Sequence, residues 1–551
     1  MNSWKILYKN KFEEIKSSQL LKILLKNRNI VSQKETNEFL RPNLEKVTPK
    51  NAGINLRELD KGIERIKRAI KNNEKIIIFG DYDVDGITGS AILWENLRKL
   101  TDNVMPYIPD RIEEGYGLSN AGIENLLKKY KDTKLIITVD NGIVAGETIK
   151  FAKQKNLDVI VTDHHVPGKE KIQTVATIHT TSVCGCSVSY LFTKVILKKL
   201  HKTDIEKSYL ELVALATVAD LVPLNSFNRT LLKFGLEELR KTKRPGLQEL
   251  FKEAQIDPSS IDTYQIGHII APRLNATGRI ADAMDSLRLL CTNNPKRAYE
   301  IAAHLGQTNR DRQKMTMDSL EHAKSNLKLE KKKLLFISHE SYEPGIVGLI
   351  AGRLVEEFYV PSIVLSVKGK YARASARSVV GFNIIEFIRE AGEFLTDAGG
   401  HPMAAGFTVE TKKILKLQKM LEDLAEKKLK GNNLERVLTV DCLLPLKLIN
   451  EKIFQEVSTL EPFGMGNPKP VFLAQKVMIE DLRMVGQEQK HMKLVLSEEK
   501  IRFDAIFFRA GDASFRIGDT VDIVYTIEEN KWNGNIKLEL RIKAIRTSSI
   551  R

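Results

Sequence analysis

Acidic residues stand at the ends of four apolar runs in the first half of the chain. The run KIIIFG leads straight into Asp81-Tyr82-Asp83-Val84-Asp85-Gly86. LIITV ends at Asp140, DVIVT at Asp163-His164-His165, and ELVALATVA at Asp220. Crowded carboxylates repel one another, and each is costly to ionise unless a cation compensates. Asp and His without Cys suit the harder divalent ions, Mn²⁺ or Mg²⁺, over a structural zinc. Carboxylates from several elements can hold two such ions about 4 Å apart, the arrangement that clamps an in-line displacement at phosphorus. Taken singly, each piece has a plainer reading: an Asp after a strand is commonly a helix N-cap, and Asp85 before GITGSAIL suits that role. Taken together, at the ends of successive elements, they point to one site.

The elements that must position these groups can be read from the apolar pattern. Residues 75–79, 135–139 and 158–161 are short β-branched runs, with helical stretches at 90–100, 121–130 and 145–154 between them. This alternation predicts an open sheet of buried parallel strands. Ligand sites in such sheets lie beyond the carboxyl ends of the strands. Residues 1 to about 50 read as short helices and a connector, and residues from about 230 to 328 as mostly helical. A second α/β segment follows, with strands at 334–338 and 362–365 around a helix at 346–358. From about 435 onward, short alternating strands split by turns such as NKWNGN predict a small β-barrel.

A chain of 551 residues is too long for one hydrophobic core, so several domains are expected. The formal charge, 86 − 70 = +16, suits a polyanionic partner. No apolar run approaches the roughly 20 residues that span a bilayer. The N-terminal MNSWKILYKNKFEEIK is charged and lacks an apolar signal core, so a cytoplasmic location and no membrane partner are expected. Four cysteines are too few for a disulfide scaffold, and Cys184 and Cys186 read as buried small residues.

DYDVDG, the strand-terminal Asp140, the DHH triplet and VADLVPL resemble the four motifs of the DHH phosphoesterase family. IPDRIEEGYGLS (108–119), IAPRLNATGRI (270–280), LGQTNRDRQ (305–313), the segment EPGIVGLIAGRLVEEFYVPSIVLS (343–366) and ASARSVVGFNI (374–384) resemble the RecJ branch of that family. GGHPMAAGF (399–407) resembles its DHHA1 domain, and LEPFGMGNPKPVF (460–472) with WNG (532–534) its oligonucleotide-binding barrel. The resemblance runs in order from about residue 50 to the end. It implies two α/β domains, a parallel-sheet DHH domain and a DHHA1 domain, joined by helices, plus a C-terminal OB-type β-barrel. The implied boundaries are an N-terminal cap at 1–50, DHH at 51–230, a helical connector at 231–328, DHHA1 at 329–432 and the barrel at 433–551. It implies a 5′→3′ exonuclease specific for single-stranded DNA, using two Mn²⁺ or Mg²⁺ ions in repair and recombination. A single-stranded-DNA-binding protein and a helicase are the implied protein partners.

Carried over from the motifs, the metal ligands are Asp83, Asp85, Asp140, His164 and Asp220, with Asp140 bridging. His165 would contact the scissile phosphate, with Asp81 and Asp163 close behind the ligands or themselves outer ligands. Arginine binds phosphate bidentately, and serine hydroxyls complete such a cradle. On that chemistry and the resemblance, Arg111, Arg279, Ser375, Arg377 and His401 are expected DNA contacts, and Tyr116 is expected to stack on a base. Phe463 and Trp532 are the candidate aromatics of the barrel. The chain departs from the RecJ pattern at Ile178-His179-Thr180-Thr181, where an Asn-Pro pair is usual, and at Cys184-Gly185-Cys186-Ser187-Val188-Ser189. Neither segment is expected to touch a metal ligand. Other DHH activities, on pyrophosphate, short oligoribonucleotides or cyclic dinucleotides, would share the acidic cluster but leave the barrel and the charge without a role. A scaffold that has lost catalysis is disfavoured because every ligand position is filled.

Overall fold

The computed structural model describes residues 3–8, 17–111, 113–115, 117–200, 205, 207–327, 332–430, 434–511, 514–532 and 535–548. The chain forms two compact units, one of Ile54–Ala219 with Glu238–Arg436 and one of Met1–Gly53, Asp220–Glu237 and Val437–Arg551.

The larger unit opens with strands β1 (Lys75–Gly80), β2 (Val104–Tyr107), β3 (Thr133–Val139), β4 (Asp158–Asp163) and β5 (Ala176–His179). They form one sheet in the order β2-β1-β3-β4-β5, every pair parallel. Ile76, Ile77, Ile78 and Phe79 are wholly buried, because the sheet is covered on both faces. That is why these strands read as unbroken apolar runs. The chain leaves β1 to one side and returns on the other as β3. The carboxyl ends of β1 and β3 therefore flank a topological switch point, the usual crevice for a ligand.

Helix α1 (Val84–Leu97) follows β1, while α2 (Gly185–Leu200) and α3 (Leu210–Ala219) follow β5 and pack on α1. The run ELVALATVA is helix α3, so the fourth acid follows a helix and not a strand. A short run that is apolar at every position carries no period to separate the two. The segment after residue 238 is mostly helical, as expected, and includes α4 (Ala271–Ile280) and a 31-residue helix, Pro295–Ser325.

The second sheet contains β6 (Leu335–His339), β7 (Ser362–Lys368), β8 (Tyr371–Arg377), β9 (Leu395–His401) and β10 (Ala404–Glu410), in the order β9-β10-β8-β7-β6. Helix α5 (Val347–Phe358) joins the parallel pair β6 and β7; the other pairs are antiparallel. Along β8 the residues Ala372, Ala374 and Ala376 enter the core. The strand's period of two turns Arg373, Ser375 and Arg377 to the opposite face.

In the smaller unit, strands Phe472–Val485, His491–Glu498, Ile501–Phe507, Asn535–Thr547 and Thr520–Trp532 pair in that order. Thr520–Trp532 pairs back onto Phe472–Val485, closing a five-stranded barrel of OB type. Leu494, Leu496, Val521, Ile523 and Leu540 fill it, and Leu20, Leu24 and Phe39 join the same core from two short N-terminal helices. A strand at Ser3–Tyr8, absent from the sequence reading, pairs in parallel with Val437–Leu443. Arg229 is buried without a carboxylate partner among the described residues. It donates to the carbonyls of Phe39 (3.0 Å), Leu460 (2.7 Å) and Thr459 (3.2 Å) and lies over the Phe39 ring, fastening three separate stretches of chain.

Candidate metal centre and phosphate-binding cavity

Asp81 follows β1 directly, and its N–H donates to the Val139 carbonyl of β3 (3.1 Å). Asp83 is the N-cap of α1: its Oδ1 accepts the backbone N–H of Asp85 (2.9 Å) and of Gly86 (3.2 Å). The cap is thus Asp83, and Asp85 sits inside the first helical turn. The Asp85 carboxylate accepts the N–H of Gly185 (2.7 Å) and of Cys186 (2.7 Å), at the positive end of α2. This corrects the expectation that the atypical segment stands clear of the ligands. In the same segment, Nε2 of His179 lies 2.7 Å from the carbonyl oxygen of His165.

Asp140 takes a left-handed backbone, φ 62°, immediately after β3. Asp163, the last residue of β4, holds the DHH turn. Its Oδ1 accepts the N–H of His164 (2.7 Å) and of His165 (3.1 Å) and lies 2.8 Å from Nδ1 of His165. Its Oδ2 accepts the N–H of Ile143 (2.8 Å). Nε2 of His164 is 3.2 Å from Oδ1 of Asp140 and 3.6 Å from Oδ2 of Asp85. Donor atoms of Asp81, Asp83 and Asp140 lie within 4.8 Å of one another, and so do those of Asp140, His164 and His165. The two groups share Asp140. Asp220 is the residue directly after α3.

The electrostatics match this crowding. Burial, with the charge of Asp83 adding to it, pushes the Asp81 carboxyl well above its ordinary range. Burial and then Asp85 raise Asp83 in the same sense. Burial lowers His164, against the pull of Asp85. His165 is raised, chiefly by its hydrogen bond to Asp163. Burial opposes ionisation of Asp163, but its bonds to His165 and Ile143 outweigh that and hold it low. Oδ1 of Asp81 is buried with no hydrogen-bond partner among the described residues. Clustered acids that resist ionisation, an unsatisfied carboxylate oxygen and oxygen and imidazole donors without thiolate together fit a hard divalent cation.

Asp81, Tyr82 and Asp83 also line a cavity of about 580 Å³ with Arg111, Asn275, Arg279, Arg373, Ser375 and Arg377. The guanidinium of Arg111 lies over the Tyr82 ring, 5.1 Å from its centre. Nη1 of Arg279 donates to the Gly345 carbonyl (3.1 Å), and Nη1 of Arg377 to Oγ of Ser375 (3.0 Å) and the Ala376 carbonyl (2.9 Å). None of Arg111, Arg279 and Arg377 pairs with a carboxylate among the described residues. Burial lowers Arg279 to about 10, and Arg111, Arg312 and Arg377 press in the same direction. Burial and then Arg111 likewise lower Arg377. Cations held together against their own repulsion form a site for an anion. Glycine lets two segments of the lining approach closely, since a Cβ at Gly345 would come 2.2 Å from the Arg279 carbonyl oxygen.

Of the expected DNA contacts, Arg111, Arg279, Ser375 and Arg377 meet in this cavity. His401 is exposed at the end of β9 and does not line it, although its neighbour Gly400 does. Tyr116 lies outside the described residues. Sequence reading passed over Tyr82, Arg373 and Asn275, whose Oδ1 accepts the N–H of Val84 at the head of α1 (2.9 Å). Arg373 was legible, because it continues the alternation of Ser375 and Arg377. Asn275 carried no such signal.

Gly185 gives the first prediction. A Cβ there would lie 2.7 Å from Cβ and Oδ1 of Asp140, in a buried spot with no room to yield. Gly185→Ala is expected to displace Asp140 or the head of α2 and lower turnover about 10²-fold, the usual cost of misplacing a catalytic group by an ångström. Steady-state hydrolysis beside a melting curve checks this; wild-type turnover from the folded variant would contradict it.

Three family models match the chain in order: the DHH family, N-terminal domain, over residues 75–217; the DHHA1 domain over 331–427; and the RecJ OB domain over 440–544. The chain resembles the RecJ family through all three of these domains. It is 37% identical over 502 residues to the single-stranded-DNA-specific exonuclease RecJ of Bacillus subtilis, an alignment covering 89% of this chain and 63% of that protein. The chain therefore spans less than two thirds of that RecJ's length. The crystal structure of Thermus thermophilus RecJ in complex with Mn²⁺ superposes with a TM-score of 0.82 at 26% identity, covering 96% of this chain and 76% of that one. The Mg²⁺ complex of the same RecJ gives 0.75 at 25% identity, covering 96% and 74%. Mn²⁺ and Mg²⁺ are the ions that the donor set of this chain suits. Among the described residues no helix is long and apolar enough to cross a membrane.

Proposed function

We propose that this chain hydrolyses the phosphodiester bonds of single-stranded DNA, starting from the 5′ end. The observation that carries the reading is one cavity with carboxylates on one wall and, on another, arginines that pair with no carboxylate among the described residues. The first wall suits divalent cations and the second a phosphate. The activity for which the Bacillus subtilis relative is named and the ions in the Thermus crystals support it.

In this reading Asp83, Asp85, Asp140, His164 and Asp220 would hold two divalent ions, with Asp140 as the proposed shared ligand. Ions bound there supply charge neutralisation at the phosphoryl group and a more acidic water. The chain supplies the rest. Gly185 and Cys186 fix the Asp85 carboxylate through their backbone N–H groups. Asp163 sets the His165 ring through Nδ1, so that the ring meets the scissile phosphate in one orientation. Asp81 stands behind the ligands. Arg111, Arg279, Ser375 and Arg377 bind the terminal phosphate and thereby position the first bond of the strand. As domains we propose an N-terminal cap at 1–50, DHH at 51–230, a helical connector at 231–328, DHHA1 at 329–432 and the barrel at 433–551. Such an activity belongs to DNA repair and recombination in the cytoplasm, where a helicase and a single-stranded-DNA-binding protein would expose and hold the strand.

Digestion of a 5′-phosphorylated single strand in Mn²⁺ or Mg²⁺, beside a duplex, a dinucleotide and pyrophosphate, tests the reading. Release of mononucleotides from the single strand is expected. Faster hydrolysis of pyrophosphate or of the dinucleotide than of the long strand would place the chain with other DHH activities.

A further inference from the structure

The barrel core accounts for one of two adjacent phenylalanines and leaves the other outside. Phe507 packs against the core, whereas Phe508, just past the end of strand Ile501–Phe507, is 45% exposed. A single exposed aromatic is ordinary, but this one is framed. His491, which opens the neighbouring strand, meets the Phe508 ring edge-on at a centroid distance of 5.1 Å. Arg541, on the strand to the other side, sets its guanidinium 5.0 Å from the same ring centre.

The frame is held in place. Nδ1 of His491 accepts the backbone N–H of Arg509 (3.1 Å), and Arg509 takes a left-handed backbone, φ 53°, to make that bond. Gly486, at φ 88°, leaves room for the imidazole, since a Cβ there would lie 2.9 Å from Cδ2 of His491. The barrel thus keeps strained backbone next to an exposed ring, which is where function is commonly found.

Strand register extends the patch. Arg483, Lys493, Ile506 and Arg541 are direct partners in one row across four adjacent strands. Met492, Leu494, Ala505, Leu540 and Ile542 beside them are buried, so alternation puts the row on the outer face. Arg483, Lys493 and Arg541 have no carboxylate partner among the described residues, unlike Arg502, which pairs with Glu480 at 2.6 Å. A flat ring beside uncompensated cations suits an unpaired base and the phosphates that flank it. The face of the second and third strands is where barrels of this type bind single strands.

We propose that Phe508, framed by His491 and Arg541, is a base-stacking platform for single-stranded nucleic acid, with Arg483 and Lys493 holding its backbone phosphates. The inference rests on the reading of the chain as a single-strand nuclease and says where on the barrel the strand is held. Of the aromatics expected from sequence, Phe463 packs against the barrel core, and the side chain of Trp532 lies outside the described residues.

Fluorescence anisotropy of a labelled oligothymidylate with the full chain, in EDTA and over a range of salt concentrations, tests the platform. Phe508→Ala is expected to raise Kd about tenfold at every salt concentration without changing the salt dependence. Lys493→Ala is expected to flatten the slope of log K against log salt by roughly 0.7. Phe508→Trp should bind like the wild type and Phe508→Leu like the alanine variant, all with unchanged melting temperature. Wild-type affinity in the Ala and Leu variants, beside tight binding by the wild type, would overturn the platform and leave the nuclease reading standing. A wild-type chain that fails to bind single strands would overturn both.

Discussion

Asp140→Ala is expected to abolish hydrolysis, by at least about 10³-fold, or ~4 kcal/mol of transition-state stabilisation. Asp140 belongs to both groups of donor atoms, the one with Asp81 and Asp83 and the one with His164 and His165. Removing Asp140 therefore takes a donor from both. The loss should come from chemistry and not from unfolding. Donor atoms of Asp140, Asp81 and Asp83 lie within 4.8 Å of one another, so deleting one carboxylate relieves repulsion among them. Asp140→Asn guards against the other risk, because asparagine tolerates the left-handed φ of 62° better than alanine does. Both variants should keep the wild-type circular dichroism and lose turnover in Mn²⁺ and in Mg²⁺. Turnover within tenfold of wild type in a folded variant would contradict the shared-ligand geometry.

The second large effect concerns polarity. A nuclease works from the 5′ end if it binds something that only this end offers, and a terminal phosphate carries more charge than an internal diester. Arg377 is placed to read it. Its guanidinium is half-buried, tied to Ser375 and Ala376, repelled by Arg111 and without a carboxylate partner among the described residues. Removing it should cost most of the activity on 5′-phosphorylated strands. A hydrogen bond to a charged group is worth roughly 1.5–3 kcal/mol, or about tenfold or more in rate if it acts in the transition state. Removing the 5′ phosphate from the substrate should therefore slow the wild type more than it slows Arg377→Ala. Lysine at this position should rescue poorly, since it lacks the planar fork. Two losses that simply multiply would mean that Arg377 does not read the terminal phosphate.

The parts of this site that were legible in sequence are those that local chemistry encodes. The strands of the first sheet are buried on both faces and so read as plain apolar runs, and their carboxyl ends carry acids whose types alone suggest a hard cation. The parts that were not legible depend on partners distant in the chain. The strand Ser3–Tyr8 has little identity without Val437–Leu443 beside it. The N–H groups of Gly185 and Cys186 serve Asp85 from about a hundred residues away, and a backbone donor leaves no trace in residue type. Asp83 and Asp85 suit a cap equally well, and only the start of α1 decides between them. The same holds for Phe507 and Phe508: the pair is obvious, but strand register alone determines which ring faces water.

The central claim, that acids and arginines around one cavity make a 5′-end nuclease for single strands, can be tested in one reaction. A 5′-phosphorylated single strand carrying distinguishable labels on its first and last nucleotides is incubated with the full chain in Mn²⁺, and both labels are followed in time. The account predicts that the 5′ label appears at once as a mononucleotide while the 3′ label stays on a steadily shortening strand, and that EDTA stops both. Early release of the 3′ label, or cleavage into internal fragments with both labels on long products, would contradict it.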